Sequence, residues 1–323
     1  MKRLHGTGRV VVWILSLLSA SGAFTFAGTE LEAIHRANGD GSNMEQVVSS
    51  DVARANHRIA VGAGFVFWPS GPVTFLGNPS HSLRRATLDG GDVHDVLAPT
   101  SVNAVATDSI NGKVYFSPGS DCCCDSIARV NLDGSGFEFL FPACFPGPIA
   151  VHPPMGLVCW GDIDGIVCGK LDTGDTELVV GAVDAVAVAL DATNDKLYWA
   201  RRDGIFRANL DGSSVETLAT GLDSVRDIAL DPGGGHMWWT EQGSGKIRRA
   251  DLDGSNVQDV VLGLDAPTGI DFAGSNGKIY WLSLAPPLEV PAASPSGLLL
   301  LGLLLLGASS TLVVRQRGRA AAR

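Results

Sequence analysis

Six cysteines are the residues of this chain best suited to covalent chemistry. Cys159 and Cys168 flank segment 161–165, whose glycines and aspartates are typical of a hairpin turn. A hairpin would place the two side chains opposite each other on neighbouring strands, so we predict a cross-strand disulfide. A pair of buried thiols is the alternative.

The other cysteines are a triplet and a single residue. They are Cys122, Cys123, Cys124 and Cys144. We expect one triplet thiol to pair with Cys144, because the repeat pattern described below places both segments in loops on one face. The two remaining thiols could form a vicinal disulfide, pair between molecules or bind a metal. Three consecutive cysteines match no known zinc spacing, so neither a metal site nor a cofactor is predicted.

No catalytic motif accompanies these cysteines. The sequence contains no Gly-x-Ser-x-Gly, no His-Glu-x-x-His and no phosphate-binding glycine loop, and its seven histidines are dispersed. A net charge of −10 argues against a nucleic-acid partner, since phosphate binding needs a basic surface. The sequence therefore predicts a protein that is not an enzyme.

Two short motifs alternate along the chain about every 40 residues, which is the period of a β-propeller blade. The first motif is a pair of adjacent residues in a predicted strand, aromatic at every position except Cys159: Phe67-Trp68, Tyr115-Phe116, Cys159-Trp160, Tyr198-Trp199, Trp238-Trp239 and Tyr280-Trp281. The second is an Asp-Gly turn at 40–41, 89–90, 133–134, 211–212 and 253–254, with Asp172-Thr173 as a degenerate sixth copy. We predict an all-β, six-bladed β-propeller over residues 28–284.

Each blade should contain four antiparallel strands, called a to d from the central channel outwards. Strand b carries the aromatic pair, and the Asp-Gly turn closes the c–d hairpin because glycine accepts a positive φ. Strand c carries a repeated arginine, at 36, 85, 129, 207 and 249, while Cys168 stands at that position in the remaining copy. The repeat begins in strand c and ends in strand b, so we predict that one blade is built from both chain ends.

Positions that repeat in every blade are expected to serve the fold. The strand c arginines and the aspartates that end strand a, Asp108, Asp191 and Asp231, are such positions. A bound ion in the channel is the alternative role for the aspartates.

Binding residues are expected where the repeat is asymmetric, at the mouth of the channel. Alignment of the strand a starts places these candidates at one rim: His57, Arg58, Asn103, Val186, Arg226, Asp227 and Thr268. Ordinary strand-start residues are the alternative. A metal-dependent propeller hydrolase of the lactonase type would need carboxylate and amide ligands converging in the channel, and Asn103 is the rim residue that matches.

Segments 198–213 and 238–272 resemble the YWTD, or class B, repeats of the low-density-lipoprotein receptor family. The resemblance rests on the strand c and turn sequence Ile205 to Ser213 and on the stretch Gly263 to Asp271. It extends over roughly residues 30–283 and implies a six-bladed extracellular propeller that binds other molecules.

Both ends of the chain carry export and membrane signals. Residues 1–27 have the basic start, apolar core and small residues of a signal peptide, with an uncleaved anchor as the alternative. A proline-rich linker is predicted at 285–296, a transmembrane helix at 297–314, and a basic cytoplasmic tail at 315–323. The end resembles a PEP-CTERM sorting tail, through Val290-Pro291, the leucine-rich 298–306 and the arginines of 315–319, although Ala292-Ala293 replaces the expected Glu-Pro. A cleavable sorting tail and a plain anchor both stay open.

These observations predict a non-enzymatic, surface-anchored propeller outside the cytoplasm. It should be monomeric and bind an extracellular protein or glycan. A lactonase-type hydrolase is the alternative.

Overall fold

A computed structural model of the chain describes residues 32–52, 58–70, 82–98, 102–118 and 125–284. These residues form 24 strands, arranged as six four-stranded antiparallel sheets, and one 3₁₀ turn, Pro153–Met155. The all-β, six-bladed propeller is thereby confirmed.

The first two strands along the chain are β1 Glu32–Asn38 and β2 Glu45–Val52. Five blades of consecutive strands follow, each running from strand a to strand d. Blade 2 contains β3 Ala60–Gly62, β4 Phe65–Ser70, β5 Ser82–Thr87 and β6 His94–Leu97. Blade 3 contains β7 Val102–Asp108, β8 Lys113–Pro118, β9 Asp125–Asn131 and β10 Glu138–Ala143. Blade 4 contains β11 Ile149–His152, β12 Leu157–Asp162, β13 Gly165–Lys170 and β14 Thr176–Gly181.

Blades 5 and 6 are the most regular copies. Blade 5 contains β15 Ala187–Asp191, β16 Lys196–Arg201, β17 Gly204–Asn209 and β18 Glu216–Thr220. Blade 6 contains β19 Val225–Asp231, β20 His236–Glu241, β21 Lys246–Asp251 and β22 Gln258–Val261. The last two strands are β23 Ile270–Ala273 and β24 Lys278–Leu284.

Blade 1 is composite and closes the ring. Its strand order is β2-β1-β24-β23, and β1 pairs with β24 in an antiparallel register that sets His35 opposite Trp281. The innermost strands β3, β7, β11, β15, β19 and β23 contact one another in that order around the channel, and β23 contacts β3. The predicted closure by both chain ends is confirmed.

The adjacent residue pairs of strand b explain how neighbouring blades pack against each other. Successive side chains of a strand point to opposite faces, so each pair supplies one side chain to each of two seams. In blade 5, Tyr198 packs with Trp239 of blade 6, while Trp199 packs with Cys159 of blade 4. Six buried apolar clusters of this kind, one between each two blades, form the core in the described residues.

Polar contacts cross the seams at the outer side of the ring. In blades 1, 2 and 5 the strand c arginine donates to the carbonyl oxygen of the leucine before the Asp-Gly turn of the next blade. Arg85 Nη1 lies 2.6 Å from Leu132 O, and Arg207 Nη1 lies 3.0 Å from Leu252 O. A regular repeat of such bonds is the behaviour expected of scaffold residues.

The aspartates that end strand a hold the a–b turns. Asp108 Oδ1 accepts hydrogen bonds from the amides of Ile110 and Asn111, at 3.0 and 2.9 Å. Asp191 and Asp231 accept equivalent amide bonds in their own turns. Their repeated contacts support the structural role predicted for them.

The predicted disulfide between Cys159 and Cys168 is confirmed. The two residues are opposite each other on β12 and β13, with their Cα atoms 4.0 Å apart. Cys144 lies just after β10, on the surface, as expected for the d–a connection. The triplet at 122–124 lies outside the described residues, so its pairing stays a prediction.

The two chain ends also lie outside the described residues. This applies to the signal at 1–27, the linker at 285–296, the span at 297–314 and the tail at 315–323. Within the ranges that are described, no helix is long and apolar enough to cross a membrane.

Candidate functional site: the channel mouth

A cavity of about 330 Å³ opens at one mouth of the channel. Of the predicted rim residues, Arg58, Asn103, Val186, Arg226 and Thr268 line it together. Asp227 lies beneath it in the channel, and His57 lies outside the described residues. Blades 1, 2, 3, 5 and 6 thus each contribute a predicted residue to one surface.

Two β-bulges help to form the mouth. The pairing of β7 with β8 shifts register between Val102 and Ala104, and the pairing of β19 with β20 shifts between Val225 and Ile228. A bulge leaves its extra residue outside the ladder and changes the direction of its side chain. Asn103 and Arg226 are the residues placed at the mouth in this way.

The floor of the cavity is a buried ion pair. Arg58 Nη1 lies 2.8 Å from Asp227 Oδ1, and their side chains are only 15% and 8% exposed. Arg58 also donates to the carbonyl oxygen of Val186. Burial raises the pKa of Asp227, although Arg58 and the amides of Ile270 and Ile228 act in the opposite direction. The 2.8 Å contact pairs the charge of Arg58 with Asp227 within the protein.

A second carboxylate lies deeper in the channel, in a cavity of about 210 Å³. Burial raises the pKa of Asp271 to about 7, although the amides of Val61 and Phe272 donate to its oxygens at 2.6 and 2.8 Å. The nearby Asp227 contributes to the same rise.

Arg226 and Arg202 also contribute positive charge to the cavity lining. Arg226 Nε donates to Gln242 Oε1 at 2.7 Å. Burial, and then repulsion by Arg202 and Arg58, lower the pKa of Arg226, so the three guanidinium groups lie within electrostatic reach of one another. Arg202 is exposed and has no side-chain hydrogen bond or ion pair within the described part of the chain.

Thr268 lines the cavity and has a buried hydroxyl group without a hydrogen-bond partner among the described residues. The residue is 3% exposed, and its amide donates to Leu282 O at 2.9 Å. Its carbonyl oxygen accepts a hydrogen bond from Thr240 Oγ1 at 2.5 Å, whereas its own Oγ1 has no partner among the described residues. A buried hydroxyl without a partner costs about 1–3 kcal/mol, which a ligand hydrogen bond could recover.

The strand alignment missed two contributions to the mouth. Phe145, Pro146 and Gly147 enter from the loop between blades 3 and 4, where the blade 4 repeat is too degenerate to align. Arg202 enters from the b–c turn after β16. The b–c turns and the starts of strand a emerge on the same face of the propeller. The position of Arg202 in a b–c turn could therefore have predicted that it lies at the mouth.

The mouth can attract an anion and offer it hydrogen bonds. Among the described residues, three arginines and no carboxylate line its cavity, although the whole chain has a net charge of −10. Among the residues described, no three His, Cys, Asp or Glu side chains are grouped so that they could hold a metal ion.

Comparison with known proteins supports the repeat resemblance. No model of a known protein family matches the chain. Low-density lipoprotein receptor-related protein 1 of Pyricularia oryzae is 30% identical over 128 residues, which cover 31% of this chain and 41% of that protein. Low-density lipoprotein receptor-related protein 5 of Mus musculus is 41% identical over 69 residues, which cover 20% of this chain and 4% of that protein. The chain resembles the propellers of low-density-lipoprotein receptor-related proteins. It spans less than half the length of these two relatives.

Solved structures share the fold of this chain. A putative TolB from Agrobacterium tumefaciens superposes with a TM-score of 0.64 at 13% identity, covering 80% of this chain and 100% of that one. A chain of a nidogen/laminin complex gives a TM-score of 0.56 at 18% identity, covering 62% of this chain and 82% of that one. At these identities the likeness concerns the fold.

Proposed function

We propose that this chain is a non-enzymatic propeller, exported and anchored by residues 297–314, that binds an extracellular protein or glycan at its channel mouth. The observation that carries the proposal is the open cavity into which five blades bring the unlike side chains described above. Asymmetric loops on a rigid repeat scaffold are the usual location of binding sites.

The polar groups at the mouth favour binding over catalysis. Asp227, the ion-pair partner of the cavity residue Arg58, also accepts hydrogen bonds from the amides of Ile228 and Ile270, at 3.0 and 3.1 Å. A general base must be able to reach a substrate proton, and this carboxylate is already fully engaged. The arginines and Thr268 instead offer fixed hydrogen-bond donors.

The proposed location and oligomeric state rest on other features. The uncharged, leucine-rich segment 297–314, with arginines directly after it, supports a membrane anchor with the propeller outside. Ring closure by β24 supports a monomer, because strand b and strand c of blade 1 find their partners within the same chain. We propose no cofactor and no nucleic-acid partner.

Binding at the mouth can be tested by blocking it. The full chain would be screened against a glycan array and against exported proteins, beside two variants with one added tryptophan. Asn103→Trp fills the mouth, whereas Ile110→Trp changes a residue that is 72% exposed in an a–b turn on the opposite face. We expect Asn103→Trp to abolish a signal that Ile110→Trp retains.

Two results would contradict the proposal. One is a partner whose binding is unaffected by Asn103→Trp. The other is calcium-dependent lactone hydrolysis by the purified full chain, which would favour the hydrolase instead.

A further inference from the structure

The charge of the mouth selects for an anion. Of the three arginines that line it, Arg58 is compensated by Asp227, whereas Arg202 is exposed and has no ionic partner in the described ranges. Arg226, which donates to Gln242, lines the same cavity and lies within electrostatic reach of Arg202. A cleft lined by one sign of charge concentrates ligands of the opposite sign.

The cavity lining also contains two uncharged hydrogen-bonding groups, which the binding of a simple anion would not require. Thr268 Oγ1 is buried and has no partner among the described residues, and the exposed residue Asn103 contributes an amide side chain to the lining of the same cavity. A hydroxyl can donate and accept, and an amide can do both through separate atoms. These two groups match neutral hydroxyl groups of a ligand.

The third feature is an exposed aromatic ring. Phe145 is 52% exposed at the cavity wall, and its backbone has φ of 49°, in the left-handed region that is uncommon for residues other than glycine. A large apolar side chain kept at a polar mouth offers a flat surface to an apolar ring face. The C–H face of a pyranose is such a surface.

Size limits what can enter. About 330 Å³ is at the lower end of the range for small-molecule sites, roughly 300–1,000 Å³. One or two sugar units fit this volume. An aspartate or glutamate side chain of a peptide would bring a carboxylate but neither the hydroxyl groups nor the ring face.

We propose, building on the proposed function, that the mouth binds a hexuronate, an acidic sugar, whose carboxylate pairs with Arg202. Thr268 Oγ1 and the Asn103 amide bind sugar hydroxyl groups, and Phe145 covers the ring. The sugar can be a free hexuronate or the terminal unit of a glycan.

Calorimetric titration of the full chain tests the ligand class. The probes are sodium glucuronate, glucuronic acid methyl ester, glucose, an oligohexuronide and a glutamate-containing tripeptide. We expect glucuronate to bind at least tenfold more tightly than its ester or glucose, and more weakly as salt is raised. Tighter binding of the oligohexuronide than of glucuronate identifies a glycan end, and equal binding identifies the free sugar.

Two arginine variants test the charge partner. Arg202→Gln should weaken glucuronate binding at least tenfold, because it removes a charge-assisted hydrogen bond. Arg201→Gln is the matched control, since Arg201 is the adjacent arginine, is half exposed, and lies outside the cavity lining. Equal affinities of the two variants would overturn the assignment of Arg202.

Thr268→Val tests the hydroxyl group. The change is nearly isosteric and removes an oxygen without a partner, so we expect weaker glucuronate binding with an unchanged or higher Tm. Equal binding of glucose and glucuronate, tighter binding of the tripeptide, or no binding of glucuronate would overturn the acidic-sugar proposal. The proposed function would survive those results if the array yields another ligand that Asn103→Trp blocks.

Discussion

Blades 4 and 5 are neighbours, yet their middle strands use different contacts at the same two positions. In blade 5, Tyr198 and Arg207 are opposite each other, and both donate to Leu252 O of blade 6, at 3.3 and 3.0 Å. In blade 4, Cys159 and Cys168 occupy the equivalent positions and are bonded to each other. One pair links two blades, and the other links two strands of one blade.

Because of this difference, the seam between blades 4 and 5 and the seam between blades 5 and 6 are stabilised by different contacts. The seam between blades 5 and 6 has hydrogen bonds from Tyr198 and Arg207 in addition to its apolar cluster. The seam between blades 4 and 5 has its apolar cluster and a contact of 3.1 Å between His152 Nε2 and Asp195 Oδ1. We infer that the 4–5 seam depends more strongly on close packing, and that the disulfide stabilises blade 4 itself.

The largest effect is expected where a turn glycine meets the 4–5 seam. Gly212 has φ of 77°, and a Cβ there would lie 2.0 Å from Val179 O of blade 4. Gly212→Ala should cost about 3 kcal/mol, from left-handed strain and from displacement of the seam. Urea denaturation followed by tryptophan fluorescence measures this loss.

Gly174→Ala is the matched control, because Gly174 also has φ of 77° but nothing lies within 4 Å of its Cβ position. It should cost about 1 kcal/mol. Gly254→Ala probes the 5–6 seam, where the new Cβ would lie 2.5 Å from Leu218 O, and it should cost less than Gly212→Ala. A larger loss for Gly254→Ala would contradict the dependence of the 4–5 seam on packing.

Removal of the disulfide should have the next largest effect. The double variant Cys159→Ala/Cys168→Ala should lose about 2–3 kcal/mol, because it frees a short loop in the unfolded chain. Thermal unfolding with and without a reducing agent checks the origin of the loss, since the agent should destabilise the wild type more than the variant.

The tyrosine and arginine of blade 5 can be introduced at the two cysteine positions of blade 4. Cys159→Tyr/Cys168→Arg should be more stable than the double alanine variant by about 1 kcal/mol, if Arg at 168 donates to Leu210 O of the next turn. No gain over the alanine variant would show that the seam no longer accepts this link.

A smaller loss is expected from Arg207→Met, which keeps the apolar stem but removes the bond to Leu252 O together with the bonds to Tyr198 Oη and Glu216. We expect about 1.5 kcal/mol, the value for a hydrogen bond from a charged group. A double-mutant cycle with Tyr198→Phe separates the two links, and a coupling energy near zero would mean that they act independently.

The smallest effect is a gain, from Arg201→Asp. Trp160 Nε1 donates to Asp162 Oδ2 at 3.0 Å in blade 4. In blade 5, Trp199 Nε1 is buried without a partner in the part of the chain that the structure describes, and Arg201 follows two residues later. An aspartate at 201 should accept the indole hydrogen and add about 1 kcal/mol of stability. The gain should disappear in Trp199→Phe, and persistence there would assign it to surface charge.

The repeat made most of the fold predictable. Each aromatic pair marks strand b, each Asp-Gly turn marks the c–d hairpin, and their phase at the two ends gives the composite blade. The disulfide was predictable for the same reason, because Cys159 and Cys168 replace two repeated residues at facing positions.

The mouth was only partly predictable, because it forms where the repeat is interrupted. Alignment of strand starts found Arg58, Asn103 and Thr268, but a loop such as the one with Phe145 has no counterpart to align. Asp227 was expected at the rim and lies buried below it, next to a bulge in β19 that no sequence pattern announces. Arg202 is a single residue in a turn. Its proximity to Arg226 follows from the closed ring and not from any local sequence pattern.

The composite blade also has a consequence for the order in which the chain folds. Tyr280 of β24 donates to Leu88 O, a residue 192 positions earlier, so the contact forms only after nearly the whole ring has been synthesised. Until then β1 has a free edge, which is open to mispairing and to proteolysis. Closure over so long a segment is entropically costly and slow, so docking of β24 should be the last step of folding. We therefore predict that the rate at which β24 undocks limits the lifetime of the finished protein.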